Sequence, residues 1–111
     1  MKVSELVNKL GLKVFCGEKG LDRQISDGYT SDLLSDVMGN ADAGNVWITL
    51  QTHKNIMAIA SLKELAAIIL VKDNKPEKDT LEQSNAEDLP ILGTSLPAFE
   101  IAGQLYNLLK K

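Results

Sequence analysis

Apolar residues follow one kind of pattern up to about residue 45 and a cleaner one after it. In the first part, Leu6, Val7 and Leu10 recur at helical spacing behind Ser4, a candidate N-cap, and Gly11 stands where a C′ glycine ends a helix. Leu12, Val14 and Cys16 alternate with Lys13 and Phe15, the pattern of a half-buried strand that ends in the turn Gly17-Glu18-Lys19-Gly20. The stretch from Arg23 to Thr30 has weak strand character and is interrupted by Asp27-Gly28. Leu33, Leu34, Val37 and Met38 form one apolar stripe, with Ser31 or Asp32 placed to cap it and Gly39-Asn40 to stop it.

From Asn45 on, apolar runs alternate with helical periods. Val46-Trp47-Ile48-Thr49-Leu50, Ala66 to Val71 and Pro90 to Thr94 read as buried strands. Between and after them lie a helix carrying Ile56, Met57, Ile59, Ala60 and Leu62, a polar acidic helix around Lys78 to Glu87, and a last helix opened by Pro97. That last helix bears Phe99, Ile101, Ala102, Leu105, Tyr106, Leu108 and Leu109. Continuous apolar strands alternating with helices predict an α/β fold: a single three-layer α/β/α domain with a mainly parallel central sheet and right-handed crossovers. No internal repeat, linker or low-complexity segment interrupts it, so residues 1–111 read as one domain.

Composition agrees and narrows the chemistry. At 111 residues and 44% hydrophobic, the chain can bury an ordinary core without staples. One cysteine, Cys16, and one histidine, His53, exclude a disulfide framework and a Cys/His zinc site. Cys16 alternates with apolar partners and reads as core. A net charge of −3 argues against nucleic-acid or acidic-membrane partners. The longest apolar run, Leu65 to Val71, is far shorter than the ~20 residues a membrane-spanning helix needs, and no targeting segment follows Met1, so a cytoplasmic location is expected. There is no catalytic signature and no cofactor fingerprint: the glycine spacing of Gly39 to Gly44 lacks the Lys-Ser/Thr of a phosphate-binding loop and precedes a strand.

One candidate site remains. Gln51, Thr52, His53, Lys54 and Asn55 join the end of a buried strand to a helix start, where open α/β sheets bind ligands and free N–H groups favour an anion. Thr94 and Ser95 end the third buried strand on the same sheet edge, so the two loops are expected to line one pocket. The alternative is that these residues only cap their helices. Thr30, Ser31, Asp32, Ser35 and Asp36 gather hydroxyls and carboxylates at a third helix start, where capping is the simpler explanation than acid–base chemistry or Mg²⁺ binding. Asp22 and Arg23 read as a surface pair, and Glu77, Asp79, Glu82, Glu87 and Asp88 as a solvated helix face.

Tyr29-Thr30-Ser31-Asp32-Leu33-Leu34-Ser35-Asp36-Val37-Met38, followed by Val46-Trp47-Ile48-Thr49, Ala67-Ile68-Ile69-Leu70, Leu89-Pro90-Ile91-Leu92 and Ala98-Phe99-Glu100-Ile101-Ala102, resembles the small stand-alone DRTGG-domain proteins over nearly the whole chain. The resemblance implies a fold like the N-terminal domain of HPr kinase/phosphorylase. It also implies a regulatory role, since related domains regulate some phosphotransacetylases and CBS-containing pyrophosphatases, and stand-alone members are often encoded near hydrogenase and iron–sulfur genes. The string Asp-Arg-Thr-Gly-Gly is absent, and Gln51 to Asn55 stand where many relatives have a Gly-Asp-Arg type sequence.

The function expected from the sequence is therefore a non-catalytic regulatory or small-ligand-binding module that senses a nucleotide or other phosphorylated metabolite. The alternative is a protein-interaction scaffold, without a small-molecule ligand, in hydrogenase or iron–sulfur metabolism. No metal site is expected. A homodimer is expected, because the last helix carries more apolar positions than one sheet face covers.

Overall fold

The computed structural model describes residues 1–110. Its elements in chain order are α1 (Val3–Leu10), β1 (Lys13–Cys16), a 3₁₀ turn (Glu18–Gly20), β2 (Asp27–Thr30), α2 (Leu34–Asn40), β3 (Asn45–Thr49), α3 (Asn55–Leu62), β4 (Ala67–Leu70), α4 (Lys78–Glu87), β5 (Ile91–Gly93) and α5 (Ala98–Lys110). The five strands form one sheet in the order β1-β5-β4-β3-β2; β2 to β5 are parallel, and β1 runs antiparallel to β5 with Lys13 opposite Gly93.

Alternation of side chains along the buried strands divides the core in two. Val46 and Ile48 of β3, Ala67 and Ile69 of β4 and Leu92 of β5 face α1 and α5, where they meet Val3, Leu6, Ile101 and Leu105. Trp47, Ile68, Leu70 and Ile91 face the other way, against Val37 of α2 and Ile56, Met57, Ile59 and Ala60 of α3, with Leu81 of α4 beside them. This is the three-layer α/β/α domain expected from the sequence. The crossovers β2-α2-β3, β3-α3-β4 and β4-α4-β5 all lie on one face and step the same way across the sheet, so they share one hand. The departure comes at the end: after β5 the chain crosses to the opposite face as α5.

Several local expectations change. Ser4 lies inside α1; the helix start is held instead by the Glu5 carboxylate, which accepts the Lys2 backbone N–H at 3.0 Å. Gly11 ends α1 as expected, at φ 62°. Asp27-Gly28 lies within β2 rather than breaking it, because Leu105 packs where a Gly28 side chain would stand: a Cβ there would lie 2.8 Å from Leu105 Cδ2. Gly39 falls in α2 and Gly44 in the turn into β3, so the glycine pair forms a helix end and a turn.

Arg23 does not pair with Asp22. Its guanidinium donates to the carbonyls of Asp88 (3.0 Å), Glu87 (3.3 Å) and Leu65 (3.4 Å), fastening the segment before β2 to the end of α4 and the entry to β4. Cys16 is 2% exposed; burial is the main influence pushing its thiol pKa up, as suits a core cysteine. Among the described residues no helix is long and apolar enough to cross a membrane.

Candidate functional site

Ligand sites in open α/β sheets form where adjacent strands send their following helices to opposite faces. Here that point lies between β4 and β5, since α4 packs on one face and α5 on the other. The loop after β4 is laced to the loop after β5: the Lys72 N–H donates to Leu96 O and the Asp73 N–H to Thr94 O, both at 3.0 Å. Lys72 and Asp73 both adopt left-handed backbone, φ 57° and 60°, at a cost of about 1 kcal/mol each for side chains of this kind. Asn74 holds the bend by donating from its side chain to Val71 O at 2.8 Å.

Against this seam, at the edge of the sheet, opens a cavity of about 410 Å³ lined by Leu10 and Gly11 at the end of α1, Lys13 and Phe15 of β1, Asp73 and Lys75, Gly93 to Leu96, and Gln104 of α5. Its volume is in the range of small-molecule sites. Phe15 and Gly93 build the wall together: a Cβ on Gly93 would lie 2.3 Å from Phe15 Cε2, so only glycine lets the ring lie on β5. The Lys13 ammonium rests over that ring, 5.1 Å from its centroid. Thr94 Oγ1 accepts the Leu96 N–H at 3.2 Å, shaping the turn into α5.

The expected pairing of loops is corrected in one respect. Thr94 and Ser95 line this cavity, but residues 51–55 do not. Although β3 and β5 end on the same sheet edge, β4 separates them, and α3 leads the 51–55 loop to the opposite face from α5. Lys54 and Asn55 instead border a smaller cavity of about 200 Å³ with Ala58 of α3 and Gln83 and Glu87 of α4. Gln51 and Thr52 are held structurally. Gln51 Nε2 donates to Asp32 O at 2.9 Å. Thr52 O accepts the Glu77 N–H at 3.1 Å and the Thr80 hydroxyl at 2.9 Å, which fixes the start of α4. His53 Nδ1 is buried with no hydrogen-bond partner among the described residues. No side chain caps α3: Lys54 occupies the N-cap position without a side-chain bond, and neither Thr52 nor Asn55 fills the role.

The acids around residue 32 also act structurally. Asp32 caps no helix; one carboxylate oxygen accepts both the Thr49 hydroxyl and the Leu50 N–H at 2.9 Å, because the end of β3 offers donors that would otherwise lack partners. Asp36 is held below its ordinary carboxylate range by the Ser31 hydroxyl first and then by the Tyr29 phenol, which donates to it at 2.9 Å. No group of three or more potential metal ligands occurs among the described residues.

Sequence reasoning missed Lys13, Phe15, Asp73, Lys75 and Gln104. The signal for Lys13 and Phe15 was present as the exposed-side alternation of a strand, but which loops it faces depends on β1 joining the sheet beside β5.

No family model matches the chain, and no curated protein matches it. Among solved structures, it is similar to the CBS and DRTGG domains of the regulatory region of a Clostridium perfringens pyrophosphatase, determined with its activator diadenosine tetraphosphate. The TM-score is 0.72 at 13% identity, over 94% of this chain and 45% of that one, so this chain spans less than half the length of the protein it matches. The fold is thus DRTGG-like.

Proposed function

We propose that this chain is a non-catalytic regulatory module that binds a small ligand, a nucleotide or another phosphorylated metabolite, at the C-terminal edge of its sheet. The observation that carries the reading is the cavity opened where α4 and α5 leave adjacent strands for opposite faces, lined by Thr94 and Ser95. The DRTGG-like fold supports it, since the similar pyrophosphatase region carries a nucleotide activator. In this reading the chain is a cytoplasmic DRTGG-like unit related in fold to the N-terminal domain of HPr kinase/phosphorylase. Gln51 and Thr52 act by positioning, because Thr52 anchors the start of α4 just beyond Lys75; His53, Lys54 and Asn55 form the second anion-facing loop of the edge.

A thermal-shift screen of nucleotides and phosphorylated metabolites tests the reading. A ligand at 100 times its dissociation constant stabilises the fold by about 2.7 kcal/mol, a shift on the order of ten degrees for a domain of this size. Absence of any hit sinks the ligand-binding reading and leaves the scaffold. The scaffold reading rests on one observation of its own: on α5, Phe99 is 89% and Tyr106 61% exposed. Both project from the helix that the sequence singles out for a homodimer, and light scattering that returned a mass of 12.1 kDa at high concentration would exclude that assembly.

A further inference from the structure

We infer that the cavity between β1, β5 and α5 recognises a phosphate group, read jointly by Lys13 and Lys75. The inference rests on the ligand-binding reading above and adds where the phosphate is read and by which residues. Among the described residues the ion pair present joins Lys110 to Asp27 at 3.2 Å, so neither cavity lysine is neutralised by a carboxylate within pairing distance, Asp73 included. Two lysines thus line one concavity in a chain whose net charge is −3. Each is brought there by structure: Lys13 by the Phe15 ring beneath it, and Lys75 by the left-handed bend at Lys72 and Asp73 that is stitched to the β5–α5 loop. The Ser95 hydroxyl and the Gln104 amide add neutral donors, and the positive end of the α5 dipole adjoins them. A dianion matches the charge of both lysines, whereas a monocarboxylate or an uncharged ligand leaves positive charge in the cavity without a counter-ion.

The test uses ADP, inorganic pyrophosphate and adenosine as probes, with binding followed by amide chemical shifts and calorimetry on the full chain. ADP and pyrophosphate are expected to bind saturably, to shift the amides of Lys13 and Gly93 to Leu96, and to weaken as salt rises. The Lys13→Gln/Lys75→Gln double variant is expected to bind both probes at least about tenfold more weakly, while Lys19→Gln, in the 3₁₀ turn at the other end of β1, leaves them unchanged. Both lysines are exposed, so the variants are expected to keep the parent's fold, checked by the dispersion of the same spectra. If ADP binds but the double variant binds it equally well, or the shifts centre on residues 51–55, the inference is overturned and the ligand-binding reading stands. Adenosine binding as tightly as ADP has the same meaning. If none of the probes binds at millimolar concentration, the inference falls, and the wider metabolite screen alone then decides the reading on which it rests.

Discussion

Replacing Gly93 by alanine sets a methyl group against the wall of the cavity, and the structure fixes how severe the conflict is. The new carbon would stand 2.3 Å from Phe15 Cε2 and 2.7 Å from Cζ, where packed carbons keep about 3.5–4.0 Å. The ring must retreat by more than about 1 Å, and the Lys13 ammonium that sits above it must move as well. Overpacking of this kind costs about 1–3 kcal/mol, partly offset by the ~0.5–1 kcal/mol by which glycine disfavours a strand. The expected net loss is about 1–2 kcal/mol, read as a lower urea midpoint with unchanged m value. Truncating the ring removes the conflict, so Gly93→Ala with Phe15→Ala should lose less than the sum of the single changes, by about 1 kcal/mol. Gly93→Ala alone should also weaken ADP binding, because Lys13 is displaced. A Gly93→Ala protein as stable as the parent, or strict additivity with Phe15→Ala, would refute the close packing of ring on strand.

Arg23→Ala removes three hydrogen bonds to backbone carbonyls and should lower stability by about 2 kcal/mol in urea unfolding; Arg23→Lys should recover little of it, since one ammonium cannot serve the same fork. Asp27 is held below its ordinary value of 3.8 mainly by the Gly28 N–H and next by Lys110, and Asp36 by Ser31 and Tyr29. Their depressed pKa values stabilise the fold at pH above about 4 and the effect fades as pH falls through the native values, so melting temperature should drop on acidification below that point and Asp27→Asn should flatten the drop. Asp32→Asn weakens the bonds at the end of β3, and faster hydrogen exchange at the Leu50 amide is the expected sign; unchanged exchange would show that the Asp32 carboxylate does not hold that turn.

The part of the chain whose local pattern and long-range role coincide was legible in its sequence. From β3 to α5 the strands are buried on both faces and the helices lie between them, so continuous apolar runs located β3, β4 and β5 to within a residue or two. The first part was harder because its residues are explained by distant partners. Asp27-Gly28 looks like a break until Leu105 occupies the space at Gly28; Arg23 looks solvated until the end of α4 arrives; Asp32 looks like a cap until β3 ends beside it. Phe99 and Tyr106 read as part of an apolar face wider than one sheet face covers, and in the structure only Ile101 and Leu105 of α5 are fully buried, because the helix meets the sheet along a narrow stripe. For the site, the sheet edge and Thr94-Ser95 were within reach of sequence reasoning. The choice of companion loop was not, because local sequence does not show that α5 alone among the helices after parallel strands crosses to the other face.

That β1 pairs with β5, Lys13 opposite Gly93, ties the order of synthesis to the order of folding. The first strand made waits for the last, and α1 and α5 then close over the same apolar cluster. A chain still emerging from a ribosome, or one cut short before β5, can pair β2, β3 and β4 but leaves one side of β4 open and the β1 segment without a strand beside it. Such an intermediate presents an apolar, hydrogen-bond-hungry edge. Loss of the C-terminal segment is therefore expected to yield aggregation in place of a smaller stable domain, and the two ends of the chain, synthesised farthest apart, complete the fold together.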